Sequence, residues 1–198
     1  MRIVILPLLT ILFAPPAIAT DPLHPFEPEK SIDEVGKELR DLVEGLEEAA
    51  NQSASVFEPL TVDQMSFRPP DGSHTPRWNA EHMRGVVEKF VSSYLHSIDP
   101  RIEIVDRTPQ QMPDDYQPSH PDWDGKQEAA AMREAAAFVK RYAYLMEDQD
   151  LDAPLPAGVV PRFFKTPRGL LTILTGHFDG HTGNVKKKFE ADGWPQLR

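Results

Sequence analysis

Apolar residues recur at three- and four-residue steps in four stretches of the chain, and polar, proline-rich segments divide them. In the first stretch Ile32, Val35, Leu39, Leu42, Leu46 and Ala49 mark one face of an amphipathic helix over about 32–56. Ser31 and Glu34 open it as a capping box, the serine serving a first-turn amide while the glutamate reaches back. Pro59, Pro69, Pro70 and Pro76 then bar continuation. A second helix is expected over about 80–98, with Asn79 as N-cap and Met83, Val86, Val87, Phe90, Tyr94 and Ile98 on its apolar face. The third, about 124–148, is alanine-rich and carries Met132, Phe138, Tyr142 and Leu145. Thr166 caps a fourth helix with Pro167 at N1, and it ends near Asp192 with Gly193 as the C′ residue. Strand-like alternation is absent at useful length, and Arg101 to Val105 is the one short candidate for pairing.

Four helices with one apolar stripe each predict an all-α four-helix bundle. The proline-rich 99–123 connection is long enough to travel back the length of a helix, about 30 Å, so it can join parallel neighbours. No internal repeat and no second domain is read.

Composition narrows the function. The chain has 198 residues, 40% hydrophobic and 26% charged, which suits one soluble domain. A formal net charge of −10 excludes a broad basic face for nucleic acid and predicts repulsion from anionic lipid. The absence of cysteine excludes disulfides, thiolate catalysis and Cys-based zinc or iron–sulfur sites. Arg2, the apolar run from Ile3 to Ala14 and Ala17-Ile18-Ala19 read as a secretory signal cleaved after Ala19. That run is too short for a membrane-spanning helix, which needs about 20 apolar residues. The expected organisation is a signal at 1–19, a linker at 20–30 and one domain at 31–195, exported to the periplasm or beyond and free of the membrane after cleavage.

Candidate chemistry lies in the histidines. His177 and His181 are four apart, one turn above the other on the fourth helix. At about 100° per residue both fall within the arc of Leu170, Leu174 and Val185, the face that must meet the core. Two buried neutral imidazoles can each find a hydrogen-bond partner, or they can share a metal. From the pair alone both readings stand. Phe178 occupies the place where a zinc peptidase motif needs its glutamate, and Asp179 projects away from both rings, so a peptidase is a poor reading. His82, early in the second helix, lies at the margin of that helix's apolar arc. The positive end of the helix dipole keeps its ring neutral, as a metal ligand must be, and a half-exposed capping histidine is the equal alternative for this residue by itself.

Trp78, a cap residue and His82, followed late in the chain by His177-x-x-x-His181 and then by Gly193-Trp194-Pro195, resemble the DinB/YfiT-like superfamily. The resemblance spans about residues 31–195. It implies an up-down-down-up four-helix bundle, with the long middle connection as its crossover. It also implies a divalent metal held by His82, His177 and His181. A site with three protein ligands keeps positions open for chemistry, and a nitrogen-only set suits zinc or nickel. The function expected is a metal-dependent hydrolase acting on a small molecule. The alternatives are a thiol-dependent S-transferase, as known members of the superfamily include, or a non-catalytic metal or small-molecule binder. Thiol cofactors are mainly cytosolic, which sits poorly with an export signal. Haem is disfavoured, because histidines four apart on one helix suit a single small ion better.

No general base is assigned. Glu81 and Asp179 read as solvated charges near the site, Arg162 as a candidate anion holder, and His24, His74, His96 and His120 as surface residues. Gly169, Gly176, Gly180 and Gly183 form a stripe opposite the histidines. It predicts a close backbone approach, either by a connection packing across it or by a homodimer along the fourth helices. Lys186-Lys187-Lys188 reads as cations complementing a helix C-terminus.

Overall fold

A computed structural model describes residues 22–105 and 116–196. The leader expected at 1–19 lies outside them. The described residues form α1 (Lys37–Phe57), α2 (Val62–Met65), α3 (Pro76–Ile98), α4 (Gly125–Arg141) and α5 (Pro167–Lys186). All but α2 are long, and among the described residues there is no strand. The pairing considered at 101–105 is therefore not made.

Helix starts depart from the sequence reading where a second cap competes. Glu34 does accept the Ser31 N–H at 2.8 Å, but this box opens only a 3₁₀ turn, Ile32–Glu34. Val35 is extended, and Gly36 stands at the start of α1. The helix α3 begins a turn earlier than expected. Thr75 Oγ1 accepts the Trp78 N–H at 3.0 Å and Pro76 takes the first helical position, where its missing N–H costs nothing. Asn79 is thereby released from capping. Asp124 and Gln127 cap α4 reciprocally, and it stops at Arg141, short of the expected 148, giving way to a 3₁₀ turn, Ala143–Met146. For α5 the cap is as read: Thr166 Oγ1 accepts the Gly169 N–H at 3.0 Å. It ends at Lys186 and tightens into a 3₁₀ turn, Lys187–Glu190, and Gly193 reverses the chain at φ 79°.

The core is built from Leu46, Ala50 and Phe57 of α1, Met83, Val87 and Leu95 of α3, Met132, Ala135 and Val139 of α4, and Leu174 and Phe178 of α5, all without exposure. Each such large side chain stabilises by about 1.5–3 kcal/mol. Both α1 and α3 pack against α4 and α5. Of the consecutive long helices only α3 and α4 are main neighbours; α1 and α3, like α4 and α5, are not, so the connections within those two pairs must cross the end of the helix array. This is the physical use of the long segments 58–75 and 142–166.

One glycine is dictated by close approach. A Cβ on Gly125 would lie 1.8 Å from the Phe57 carbonyl oxygen, and the Gly125 N–H donates to the Leu60 carbonyl at 2.8 Å. The start of α4 is pressed onto the end of α1. At the other terminus, the Trp194 ring packs edge-on to Phe67 at 5.3 Å, and Gln64 Nε2 donates to the Pro195 carbonyl at 2.9 Å. The chain end is thereby tied to α2.

Candidate metal centre and its cleft

Because α3 starts at Pro76, His82 stands in its second turn rather than its first. The packing of α3 on α5 brings its ring to the histidine pair. Ring centroids are 5.0 Å apart for His82 and His177, 4.9 Å for His82 and His181, and 4.4 Å for His177 and His181. One nitrogen of each ring lies within 4.8 Å of the other two. His82 is buried, and His177 and His181 are half-buried.

Neighbouring groups fix ring planes and one tautomer. Trp78, one turn before His82, stacks on it at 4.4 Å and 11° and on His74 at 3.5 Å and 7°. Asn79 Nδ2 donates to the Thr75 carbonyl at 2.8 Å. A carbonyl only accepts, so the Asn79 oxygen must be the atom facing His181 Nδ1, 2.8 Å away. An amide oxygen also only accepts. His181 Nδ1 therefore carries the proton, and its lone pair sits on Nε2. His177 Nε2 and His82 Nδ1 are buried with no hydrogen-bond partner. Each such orphan costs about 1–3 kcal/mol.

The electrostatics favour neutral rings. Burial first, then the neighbouring rings of His177 and His181, push His82 down to about 3. Burial and His177 push His181 down to about 4, and burial lowers His177. All three imidazoles are unprotonated near neutrality, with lone pairs free to donate. The three rings are close enough for the group to hold one metal ion. Two unpartnered buried nitrogens and a third ring with its tautomer set from behind fit such an ion.

His82 and His181 open onto a cleft of about 710 Å³, whose walls include Pro69, His74, Trp78 and Lys188. His74 is thus not a surface residue but a wall of this cleft, and its Nδ1 is buried without a partner. The other three histidines make local contacts: His24 with Glu134 at 2.7 Å, His96 with the Ile102 carbonyl at 2.7 Å, and His120 stacked on Trp123 at 3.7 Å. Asp179 is exposed, as its wheel position requires. Arg162 is exposed and lines a separate groove with Leu155 and Phe164, away from the histidines, so it is no anion holder for this site.

Glu81 departs most from the sequence reading. It is 2% exposed and accepts from Tyr116 Oη at 2.7 Å and from the Ser119 N–H at 2.9 Å. It belongs to a buried ionic group with Arg77, Arg84, Glu88 and Glu128. Arg77 Nη1 donates to the His120 carbonyl at 2.7 Å. The charged residues of α3 recur at four- and three-residue steps, a pattern that sequence reading assigns to solvent. Here the segment 116–123 and α4 cover that face. The signal was the spacing itself; the covering segment was not legible.

The glycine stripe also differs. Cβ atoms at Gly176, Gly180 and Gly183 would meet nothing within 4 Å among the described residues, so no described part of a connection packs across it.

Residues 45–185 match the family model of the DinB superfamily. No curated protein and no solved structure matches the chain. The matched span holds all of α3 and all but the last residue of α5, with all three converging histidines, and the chain belongs to the DinB superfamily.

Proposed function

We propose that this protein is an exported, divalent-metal-dependent enzyme that hydrolyses a small molecule in the cleft beside His82, His177 and His181. The observation that supports this reading is the meeting of three neutral rings from two helices, two of them with orphaned buried nitrogens, beside a cleft onto which His82 and His181 open. Zinc or nickel suits the nitrogen-only donors, and when bound such an ion supplies Lewis acidity and a more acidic water. The chain's own contributions are separate. Asn79 holds the His181 proton at Nδ1, Trp78 fixes the plane of His82, and the walls give room for a small substrate. The same reading takes an up-down-down-up bundle, supported by α1 and α3 each packing on both α4 and α5. It also retains a homodimer through the open glycine face of α5.

Elemental analysis of the purified mature chain tests the centre. One ion per chain is expected in the wild type, with loss of more than nine-tenths of it in His82→Ala, His177→Ala and His181→Ala. Wild-type protein without stoichiometric metal after zinc or nickel loading and dialysis overturns the reading. Turnover on a panel of esters, amides and activated thiols, abolished in His177→Ala, separates hydrolase from transferase. Silence across the panel in loaded protein favours a binder.

A further inference from the structure

Lys188 lies on the 3₁₀ turn after α5 and is 6% exposed, yet it borders the histidine cleft. Its Nζ donates to Ser73 Oγ at 2.8 Å, on the loop that forms the opposite wall. An ammonium has three protons to give. No carboxylate among the described residues lies within 4.0 Å of it. Asp71, whose charge partly opposes the effect of burial on the lysine, makes no ion pair with it and instead accepts the Ser73 N–H at 2.9 Å on its own loop. Asp192 borders the cleft as well, without an ion pair to Lys188. Burial lowers the lysine's pKa, as expected for an ammonium drawn out of water with incomplete compensation. A cation that only complemented the helix end would face the last carbonyls and solvent. This one reaches across the cleft instead. The orphaned His74 Nδ1 lies on the same lining.

We propose that Lys188 is the anion-recognition residue of this cleft, and that the small molecule bound there carries a carboxylate or phosphate group. Lys188 holds that group, and Ser73 and His74 add neutral hydrogen-bonding atoms beside it, while the rest of the molecule extends toward His82 and His181. This rests on the reading of the cleft as a substrate site, but it does not require the metal.

The test therefore uses metal-free protein, so that no ion can hold the probe. Inorganic phosphate and succinate are titrated calorimetrically into the chelator-treated mature chain. Saturable millimolar binding of at least one is expected, weakened at least tenfold in Lys188→Met and retained within threefold in Lys188→Arg and in Lys186→Met, an exposed lysine outside the cleft lining. Far-UV circular dichroism and melting establish that Lys188→Met is folded; should it not be, Lys188→Gln is the second variant. Failure of the wild type to bind either anion, equal affinity in the folded neutral variant, or an equal loss in Lys186→Met overturns the proposal. Loss of metal binding by the wild type, with lysine-dependent anion binding intact, sinks the metal reading alone.

Discussion

At the scale of single residues, the centre depends on which atom of each ring is left to donate. Asn79 decides this for His181, since its own amide is oriented by the Thr75 carbonyl. Removing that oxygen leaves Nδ1 without a partner and lets the ring turn. Asn79→Ala should therefore bind zinc 10–100-fold more weakly while costing only about 1 kcal/mol of stability. Competition against a chromophoric chelator reads the first quantity and urea denaturation the second. Unchanged affinity would mean that Asn79 merely fills space. His177 and His181 could be picked out from spacing and helical phase, whereas His82 joined them only through the family resemblance. Asn79 could not, because the same side chain read as a cap until Thr75 took that place.

Elements show how charge and packing outrank local pattern. The buried face of α3 brings Arg77 and Arg84 together with Glu81, Glu88 and Glu128, two guanidiniums against three carboxyls. Burial pushes Glu128 up to about 7, Arg84 and Arg77 opposing the shift, and neither of its oxygens has a hydrogen-bond partner. A carboxyl whose folded pKa is raised binds its proton more tightly in the native state. Its contribution is full below about 4.5 and is lost as pH rises to about 7, on the order of 3 kcal/mol for a shift of that size. Glu128→Gln keeps the shape without the charge. Its stability relative to wild type should accordingly rise between pH 5 and pH 8, measured by denaturant unfolding at both. A flat difference would place the extra proton elsewhere.

Two glycines of opposite character make a second test at this scale. Gly125→Ala forces a methyl against the Phe57 carbonyl and should cost about 3 kcal/mol or more. Gly180→Ala meets open space and should stabilise the monomer by about 0.5–1 kcal/mol. Sedimentation of the wild type at high micromolar concentration separates a free face from an interface. If it shows a dimer, Gly180→Ala should weaken association instead.

For the whole molecule, the arrangement of helices explains both the proline-rich connections and the site. Crossing between α1 and α3, which are not main neighbours, needs length, and that length supplies the cleft wall at Pro69 to His74, while the connection from α3 to α4 supplies the cover over Glu81. Among the described residues no helix is long and apolar enough to cross a membrane. Export itself is testable on the natural host or a bacterial expression strain. The mature chain should begin at Thr20 and be recovered outside the cytoplasm, as read by intact mass and N-terminal sequencing. A protein retaining Met1 in the cytoplasmic fraction would remove the secretory reading.

The sequence by itself determined the four apolar stripes, the Thr166–Pro167 start of α5 and the phase that turns His177 and His181 inward. All of these follow from helical periodicity and capping, which act over a few residues. It did not determine where α3 begins, because Thr75 and Asn79 are both good caps and Pro76 settles the choice only once the turn is formed. Nor could it show that a charged stripe is buried, or that Lys188 reaches Ser73 rather than solvent. Those outcomes depend on segments far apart in the chain folding over one another, and side-chain spacing carries no record of what lies across the interface.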